Sequence, residues 1–250
     1  MDLPLSSPDH ALFANHLSFL ARHRGNRRDE ERGVWIDGAS DELSTWTPLG
    51  PMSELPAGLP AVRPAPWTAA HDVAVLRERG YHAGSLVSYM ERDRDASLAR
   101  VDPAATVEVA RSEVALREFA AVQAAGFLSG ADGDDAWWAA LFTEMALKNR
   151  LDPTQTLYVA RVGDLAAACT LVVRDSGVAG IYAVATRPQF RRRGLARVLL
   201  ERASDDAASI HGITRVILQA TTGGEPEAYY ARLGFTTRYQ LAVWRQAAAP

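Results

Sequence analysis

The sequence is poor in three features that would each indicate a particular class of protein. It contains one cysteine, Cys169, among 250 residues. A single cysteine excludes an internal disulfide and any zinc site built from cysteine pairs. No apolar run approaches the roughly 18 residues of a membrane-spanning helix. The first ten residues also lack the basic and apolar segments of a signal peptide. We therefore expect a cytoplasmic protein that does not enter a membrane.

Charge of one sign is the third feature that the chain lacks. Its 27 basic and 30 acidic side chains leave a formal net charge of −3 at pH 7. This balance gives no overall basic field that would attract nucleic acid. The six histidines show no shared spacing that resembles a set of metal ligands. We expect neither a nucleic-acid partner nor a bound metal.

The most informative stretch is a strand followed by a short loop and a helix. Residues 178–184 are apolar and β-branched, which predicts a buried strand, whereas 195–203 has helical spacing. The loop between them, 191–194, contains three arginines and Gly194. The first N–H groups of a helix have no partners within the helix, and the helix dipole adds positive charge there. The pattern therefore predicts a phosphate or pyrophosphate site.

On its own, this local pattern leaves an alternative open. The loop lacks the second glycine and the Lys-Ser/Thr pair of a Walker loop. It also lacks the three glycines of a dinucleotide-binding fingerprint. An ordinary basic helix start in solvent would contain the same residues.

A second motif downstream makes the interpretation more specific. The segment from Arg191 to Ala196 reads R-x-x-G-x-A, and Tyr230 precedes Gly234 and Phe235 in a Y-x-x-x-G-F pattern. Together, in this order, they resemble the GCN5-related N-acetyltransferases, the GNAT superfamily. The resemblance covers roughly residues 105–246. It implies a mixed α/β fold in which acetyl-CoA binds in a V-shaped splay between strands 178–185 and 215–220.

Periodicity and turn residues place the remaining elements. We predict helices at 9–22, 69–79, 113–125, 136–148, 194–209 and 225–233. We predict strands at 34–36, 43–46, 82–90, 106–110, 157–162, 165–173, 178–185, 215–220 and 235–245. The mixed-charge segment 24–33 and the proline-rich segment 48–67 are expected to be loops. The order indicates a mixed sheet with helices on both faces.

A weak internal similarity suggests a two-domain organisation. Residues 74–81 parallel 228–235, because in both a helix ends at a glycine that an aromatic residue follows. Two such endings also arise by chance, since glycine commonly terminates helices. The alternative is a tandem protein, as some GNAT proteins are. We predict a degenerate GNAT-like domain at 1–98 and a catalytic domain at 104–250, joined by the charged segment 91–103.

The resemblance assigns the coenzyme contacts residue by residue. It places the pantetheine arm against the strand and the pyrophosphate in the loop, with Arg191 at the first motif position. The cofactor-binding residues that it implies are Val184, Ala185, Thr186, Arg191, Arg192, Arg193, Gly194, Leu195, Ala196 and Arg197. Ala196 stands where the family more often has glycine.

The resemblance also implies one catalytic residue. Tyr230 matches the tyrosine that protonates the sulfur of the departing coenzyme. A phenol with a pKa of about 10 is protonated at neutral pH and can donate. Tyr229 points roughly 100° away on the same helix, so only one of the two can serve. Tyr230 could instead be an ordinary core tyrosine.

No general base can be carried over from the family. Gln219 stands nearest to the strand position where many N-terminal acetyltransferases have a glutamate. The turn before the tyrosine helix also lacks the asparagine of many members. Glu144, Glu225 and Glu227 are the candidate carboxylates, and a proton could equally leave through ordered water.

These observations predict an acetyl-CoA-dependent N-acetyltransferase that transfers acetyl directly to a primary amine of a small molecule or peptide. The acceptor is expected to bind against roughly residues 126–138 and the N-terminal half. Trp137 and Trp138 indicate a partly aromatic wall, and core packing is the alternative use of at least one of them. Because the asparagine and glutamate are missing, the alternative is a non-catalytic regulatory protein that binds acyl-CoA. A homodimer is compatible with either function.

Overall fold

A computed structural model of the protein describes residues 8–93, 105–128 and 135–246. Its helices are α1 (Pro8–His23), α2 (Ala70–Glu78), α3 (Glu113–Phe127), α4 (Asp135–Lys148), α5 (Leu195–His211) and α6 (Glu225–Arg232). Its strands are β1 (Gly25–Glu30), β2 (Gly33–Gly38), β3 (Thr45–Pro48), β4 (Ala61–Val62), β5 (Tyr81–Ala83), β6 (Val87–Asp93), β7 (Ala105–Val109), β8 (Gln155–Val162), β9 (Leu165–Asp175), β10 (Val178–Thr186), β11 (Arg215–Thr221), β12 (Thr236–Leu241) and β13 (Trp244–Gln246). Short 3₁₀ turns lie at Met52–Glu54 and Pro188–Phe190.

The chain forms two compact units. The first combines residues 1–92 with 217–250, and the second is residues 93–216. The predicted boundary between sequence domains, 98–104, lies outside the described residues. The division into domains 1–98 and 104–250 therefore remains a prediction. The compact units divide the chain differently, because the first unit contains both the N-terminal segment and the last strands.

A sheet of strand order β1-β2-β3-β4-β13-β5 forms much of the first unit. Alternation along its strands gives the sheet two apolar faces. On one face Trp46 and Met52 pack with Leu76 of α2. On the other, Phe13 and Leu17 of α1 pack with neighbouring apolar side chains. The helical spacing of Phe13 and Leu17 explains why α1 was predictable from the sequence.

The expectation of a loop at 24–33 is wrong. Residues 25–30 form β1, in which every residue pairs with β2 from Gly25↔Gly38 to Glu30↔Gly33. Backbone pairing at the edge of a sheet tolerates charged side chains because they remain in solvent. Arg27 and Asp29, two residues apart on one face, form an ion pair of 2.9 Å.

Two other predicted segments differ in detail. The proline-rich segment 48–67 contains the 3₁₀ turn and the two residues of β4, which pair with β13. The single strand predicted at 235–245 is two strands. Residues 236–241 pair with β6, whereas 244–246 pair with β4 and β5, so the chain changes partners between them.

The first unit also contains three neighbouring strands in the order β12-β6-β11. Strands β12 and β6 are antiparallel, and Tyr239 lies opposite Tyr89. Their rings stack with centroids 4.7 Å apart. Tyr89 is fully buried, so this pair belongs to the core of the unit.

The second unit contains the neighbouring strands β10-β9-β8-β7, whose pairs are all antiparallel. Helices α3 and α5 pack against them. Cys169 lies in the middle of β9 and is fully buried. Burial raises the pKa of its thiol, so Cys169 is an inert core residue, as its apolar surroundings in the sequence suggested.

Two negative findings apply to the described ranges 8–93, 105–128 and 135–246. No helix in them is both long and apolar enough to cross a membrane. Within the same ranges, no group of three or more histidine, cysteine, aspartate or glutamate side chains is arranged to hold a metal ion.

Candidate coenzyme site and catalytic tyrosine

Strand β10 contains a bulge at the position predicted to contact the pantetheine arm. Its pairing with β9 passes from Tyr182↔Leu171 to Ala185↔Cys169, so two residues of β10 lie opposite one of β9. Ala183 adopts φ of 52°, which is unusual for a residue with a side chain. The bulge takes Val184 out of regular pairing with β9, and this is how bulges redirect backbone groups toward a site.

Side chains of β9 compensate for the interrupted ladder. The Thr170 hydroxyl donates to the carbonyl oxygen of Tyr182 over 3.0 Å, and Thr170 is fully buried. The Cys169 thiol lies 3.5 Å from the carbonyl oxygen of Ala183. Because a buried carbonyl without a donor is costly, these contacts stabilise the bulge.

Helix α3 approaches the end of β10 very closely. A Cβ on Gly126 would lie 2.8 Å from the Cβ of Ala185 and 3.2 Å from the backbone nitrogen of Thr186. No ordinary side chain fits in this space. Glycine is therefore required near the end of α3, where it brings the helix backbone against residues 185–186.

The backbone after β10 has the conformation of an anion-binding loop. Arg192 adopts φ of 64° and Gly194 adopts φ of 75°. Gly194 is the N-cap of α5 and has a left-handed conformation. Left-handed residues within a turn point successive N–H groups toward one concave point, and the first turn of α5 adds its own unpaired N–H groups. The geometry therefore fits the phosphate site that the sequence predicted.

The arginines of the loop differ in their contacts. Arg191 donates from Nη2 to the carbonyl oxygen of Gly126 over 3.1 Å and from Nε to that of Thr186 over 3.4 Å. Arg193 lies over the Phe190 ring, 5.4 Å from its centroid. Arg192 is exposed, as are the other two arginines of the loop. These contacts indicate that Arg191 supports the loop, whereas the charge of Arg192 is accessible to a ligand.

The three remaining predicted contacts lie in the first turn of α5. Leu195 is buried and anchors this turn in the core, whereas Ala196 is half-buried. Arg197 forms an ion pair with Glu201 one turn later, with Nε and Oε1 3.0 Å apart. The small side chain of Ala196 leaves the backbone of the first turn accessible. This agrees with the motif, whose last position is glycine or alanine.

Tyr230 lies in α6 of the first unit. It is 8% exposed, and its ring contacts Phe235 edge-on at a centroid distance of 6.0 Å. Tyr229 is half-buried and lies beneath the Arg232 guanidinium. Burial, with a smaller contribution from Tyr229, raises the pKa of Tyr230. The phenol thus stays protonated at neutral pH, which a proton donor requires.

The candidate bases differ in how well they suit that role. Glu227 accepts a hydrogen bond from the backbone N–H of Gly223 over 2.6 Å and one from Thr237 over 3.3 Å. Hydrogen bonding, first from Ser88, lowers its pKa. Glu227 is therefore a capping residue and a weaker base than an ordinary glutamate. Glu144 and Glu225 are exposed.

The structure adds three residues to those predicted from the sequence. Gly126, Thr170 and Ala183 together shape the bulge and the end of α3. A glycine inside a helical pattern is a signal for close packing, so Gly126 could have been found. Nothing in the sequence marks Ala183, because alanine is an unfavourable residue for a positive φ.

Comparison with known proteins finds a family whose model matches part of the chain. The family described as Acetyltransferase (GNAT) family matches residues 117–235. The matched segment is a little under half of the chain, and it is similar to this family. The match includes the bulge, the loop and Tyr230, so the resemblance read from the two motifs is confirmed. This similarity supports acyl-CoA-dependent acetyl transfer as a general activity. No curated protein matches the sequence.

Solved structures extend the GNAT fold over nearly the whole chain. A GCN5-related N-acetyltransferase from Kribbella flavida has a TM-score of 0.72 at 17% identity, covering 98% of this chain and 97% of that one. One from Sphaerobacter thermophilus has a TM-score of 0.56 at 18% identity, with 76% and 60% covered. A tandem GNAT protein from the clavulanic acid biosynthesis pathway has 0.59 at 13% identity, with 88% and 80% covered. These likenesses confirm the predicted mixed α/β GNAT fold.

Proposed function

We propose that this protein is an N-acetyltransferase that transfers the acetyl group of acetyl-CoA directly to a primary amine. The observation that supports the proposal most strongly is the backbone of the loop at 191–194. Two left-handed residues precede the N-terminus of α5 there, in a segment that matches the GNAT family. A pyrophosphate fits the converging N–H groups, and the exposed Arg192 adds a full positive charge.

The pantetheine arm would bind along the bulged end of β10. Val184, Ala185 and Thr186 would supply backbone hydrogen bonds, and Gly126 keeps side-chain atoms away from this part of the strand. Leu195 would hold the first turn of α5 in place, while Ala196 and Arg197 would complete the pyrophosphate site with Arg193 and Gly194. In this proposal Arg191 positions the loop through Gly126.

The chemistry requires one attack and one proton transfer at the leaving sulfur. The neutral amine attacks the thioester carbonyl, and a tetrahedral intermediate forms. As it collapses, the carbon–sulfur bond breaks, and the sulfur takes a proton from the Tyr230 phenol. The products are an N-acetyl amide and free coenzyme A. The proton lost by the attacking nitrogen passes to water, because Glu227 is committed to capping the turn at Gly223. The Tyr230 phenolate then takes a proton from water, which restores the donor.

The N-terminal half supports a second part of the proposal. We infer that residues 1–98 descend from a GNAT-like unit that has lost its coenzyme loop, since R-x-x-G-x-G/A does not precede the 74–81 segment. The likeness of 88% of this chain to a tandem GNAT protein supports the inference. Acetyl-CoA would then bind only through the C-terminal motif, with a stoichiometry of about one per chain.

Steady-state assays test the proposed activity. Purified protein is given acetyl-CoA and a panel of amines, and the release of free thiol is measured. We expect thiol release that depends on an amine and falls about tenfold or more in Tyr230→Phe. Coenzyme binding without amine-dependent turnover would favour the alternative of a regulatory acyl-CoA-binding protein. Full activity in Tyr230→Phe would remove this residue from the mechanism.

A further inference from the structure

Strand β6 belongs to the N-terminal half of the sequence, but it pairs with β12 of the C-terminal half. The two strands are antiparallel, from Thr236↔Glu91 to Leu241↔Val87. In the opposite direction, strand β13 of the C-terminal half pairs with β4 and β5 of the N-terminal half. Both exchanges lie within the first compact unit. The helix α6, which carries Tyr230 and precedes β12, therefore has neighbours from both halves of the sequence.

The start of β6 contacts the turn that leads into α6. The backbone N–H of Thr222 donates to the carbonyl oxygen of Leu86 over 2.9 Å. The hydroxyl oxygens of Ser88 and Thr222 lie 2.9 Å apart, which is hydrogen-bond distance. Ser88 is fully buried, and it also accepts a hydrogen bond from Nε2 of Gln240 over 3.1 Å. This part of the N-terminal half therefore fixes the turn before the tyrosine helix.

The other end of β6 contacts the other end of the same helix through Arg92. This arginine is 5% exposed, and its Nη1 donates to the carbonyl oxygen of Leu233 over 3.0 Å. Leu233 is the C-cap of α6. The last carbonyl groups of a helix have no partners within the helix, so a buried one needs a donor from elsewhere. Arg92 supplies that donor, and β6 thus holds α6 at both ends.

Arg92 also reaches Tyr230 through one aromatic ring. Its guanidinium carbon lies 4.8 Å from the centroid of the Phe235 ring. The Phe235 ring meets the Tyr230 ring edge-on at a centroid distance of 6.0 Å. The carbonyl oxygen of Tyr230 accepts hydrogen bonds from the backbone N–H groups of Leu233 and Phe235, over 2.9 and 3.1 Å. The two residues that Arg92 contacts are therefore the two that are bound to Tyr230.

Such contacts matter for a proton donor because its position must be held closely. The phenol oxygen has to lie within hydrogen-bond reach of the sulfur that it protonates. A misplacement of about 1 Å can lower the rate of an enzyme about a hundredfold. A hydrogen bond to Leu233 and a cation–π contact with Phe235 both limit movement of the end of α6. Cation–π contacts are stronger where they are desolvated, as Arg92 and Phe235 are here.

We propose that Arg92 is a positioning residue for acetyl transfer: from a strand of the N-terminal half, it holds Tyr230 in the place from which the phenol donates its proton. Arg92 acts through Leu233 and Phe235 and takes no part in the proton transfer itself. This inference rests on the proposed role of Tyr230. It gives the N-terminal half a function in turnover that does not require a coenzyme loop of its own.

Steady-state kinetics of Arg92→Met in the full chain provide the first test. We expect kcat to fall about tenfold or more. The KM for acetyl-CoA and the calorimetric affinity for coenzyme A should stay at the parental values, because Arg92 contacts the tyrosine helix. Arg92→Lys keeps a donor and the positive charge, so it should recover part of kcat. Arg79→Met is the matched control, because Arg79 also donates to a backbone carbonyl of the same unit, that of Leu55 over 2.7 Å.

A double-variant cycle separates positioning from a loss of folded protein. In Tyr230→Phe the phenol is absent, so adding Arg92→Met should cause little further loss of kcat. A loss of folded protein would lower kcat by the same factor in both backgrounds. Equal factors would therefore overturn the proposal, as would parental kcat in a folded Arg92→Met protein. If Arg92→Met does not fold, Phe235→Leu decides, because it removes the ring between Arg92 and Tyr230. Parental kcat in Phe235→Leu would contradict the proposal.

Carbon NMR provides a test that needs no turnover. The protein is labelled with ¹³C at the Cζ atoms of its tyrosines, and the Tyr230 signal is assigned by its absence in Tyr230→Phe. We expect this signal to move in Arg92→Met and to stay in place in Arg79→Met. An unmoved signal in Arg92→Met would refute the role of Arg92. Full activity in Tyr230→Phe would instead refute the proposed proton donor, so the two failures are distinguishable.

Discussion

Arg191 and Gly126 are joined by a hydrogen bond of 3.1 Å from the guanidinium Nη2 to the backbone carbonyl oxygen. This bond ties the coenzyme loop to the last turn of α3, at the point where that helix lies against Ala185. The first arginine of the motif therefore acts on the shape of the loop. The second arginine, Arg192, is exposed, and its charge is accessible to a ligand.

Replacing these two arginines should have different consequences. Arg191→Met should lower both Tm and coenzyme A affinity, because the loop loses two backbone contacts. Arg192→Ala should weaken coenzyme A binding by about 1–2 kcal/mol with little change in Tm, since it removes only a charged hydrogen bond to the ligand. Calorimetric titration and thermal melting measure the two effects. Identical behaviour of the two variants would refute this division of roles.

Gly126→Ala should impair coenzyme binding through a steric effect. The added Cβ would lie 2.8 Å from the Cβ of Ala185, so α3 and the end of β10 must move apart. We expect a weaker affinity for coenzyme A and a lower Tm. In the double variant with Ala185→Gly the opposing atom is absent, and both values should recover in part. Additive losses in the double variant would show that the close approach is not the cause.

Thr170→Val tests the support of the bulge. The variant keeps the size of the side chain but leaves the carbonyl of Tyr182 without its donor. The free energy of unfolding should fall by about 1–3 kcal/mol, the usual cost of an unsatisfied buried polar group. Thr170→Ser keeps the hydroxyl and serves as the control. Chemical denaturation measures both, and a Thr170→Val protein as stable as Thr170→Ser would contradict the account.

The pH dependence of acetyl transfer should reflect the high pKa of Tyr230. Burial keeps its phenol protonated, so the donor is present throughout the neutral range and is lost only above its raised pKa. The rate should rise with pH as the acceptor amine loses its proton. It should show no fall assignable to Tyr230 below about pH 10, the ordinary phenol pKa. Such a fall near neutrality, present in the parent and absent from Tyr230→Phe, would oppose the proposed role.

The sequence could predict the elements whose side chains carry a clear periodicity. Helix α5 was expected at 194–209 and lies at Leu195–His211, and Gly194 was expected to form the phosphate loop. Apolar side chains at helical spacing, followed by Gly212, define such a helix locally. The pair of motifs around Gly194 and Tyr230 was sufficient to indicate the GNAT family.

Features that depend on distant pairing could not be predicted in this way. Strand β1 has the composition of a charged loop, and only its pairing with β2 makes it a strand. The positive φ of Ala183 results from the register of β10 on β9.

Gly194→Asp is the most direct test of the coenzyme site. A carboxylate here would occupy the N–H groups at the start of α5 and repel a pyrophosphate. The matched control is Gly212→Asp at the opposite end of α5, where glycine is also left-handed and an added Cβ would meet no atom within 4 Å.

The decisive measurement is calorimetric titration of both variants with coenzyme A, with circular dichroism to confirm that each is folded. The account predicts that Gly194→Asp binds no measurable coenzyme A, whereas Gly212→Asp binds it like the parent. Parental affinity in a folded Gly194→Asp protein would contradict the phosphate-loop assignment and, with it, the proposed acetyltransferase.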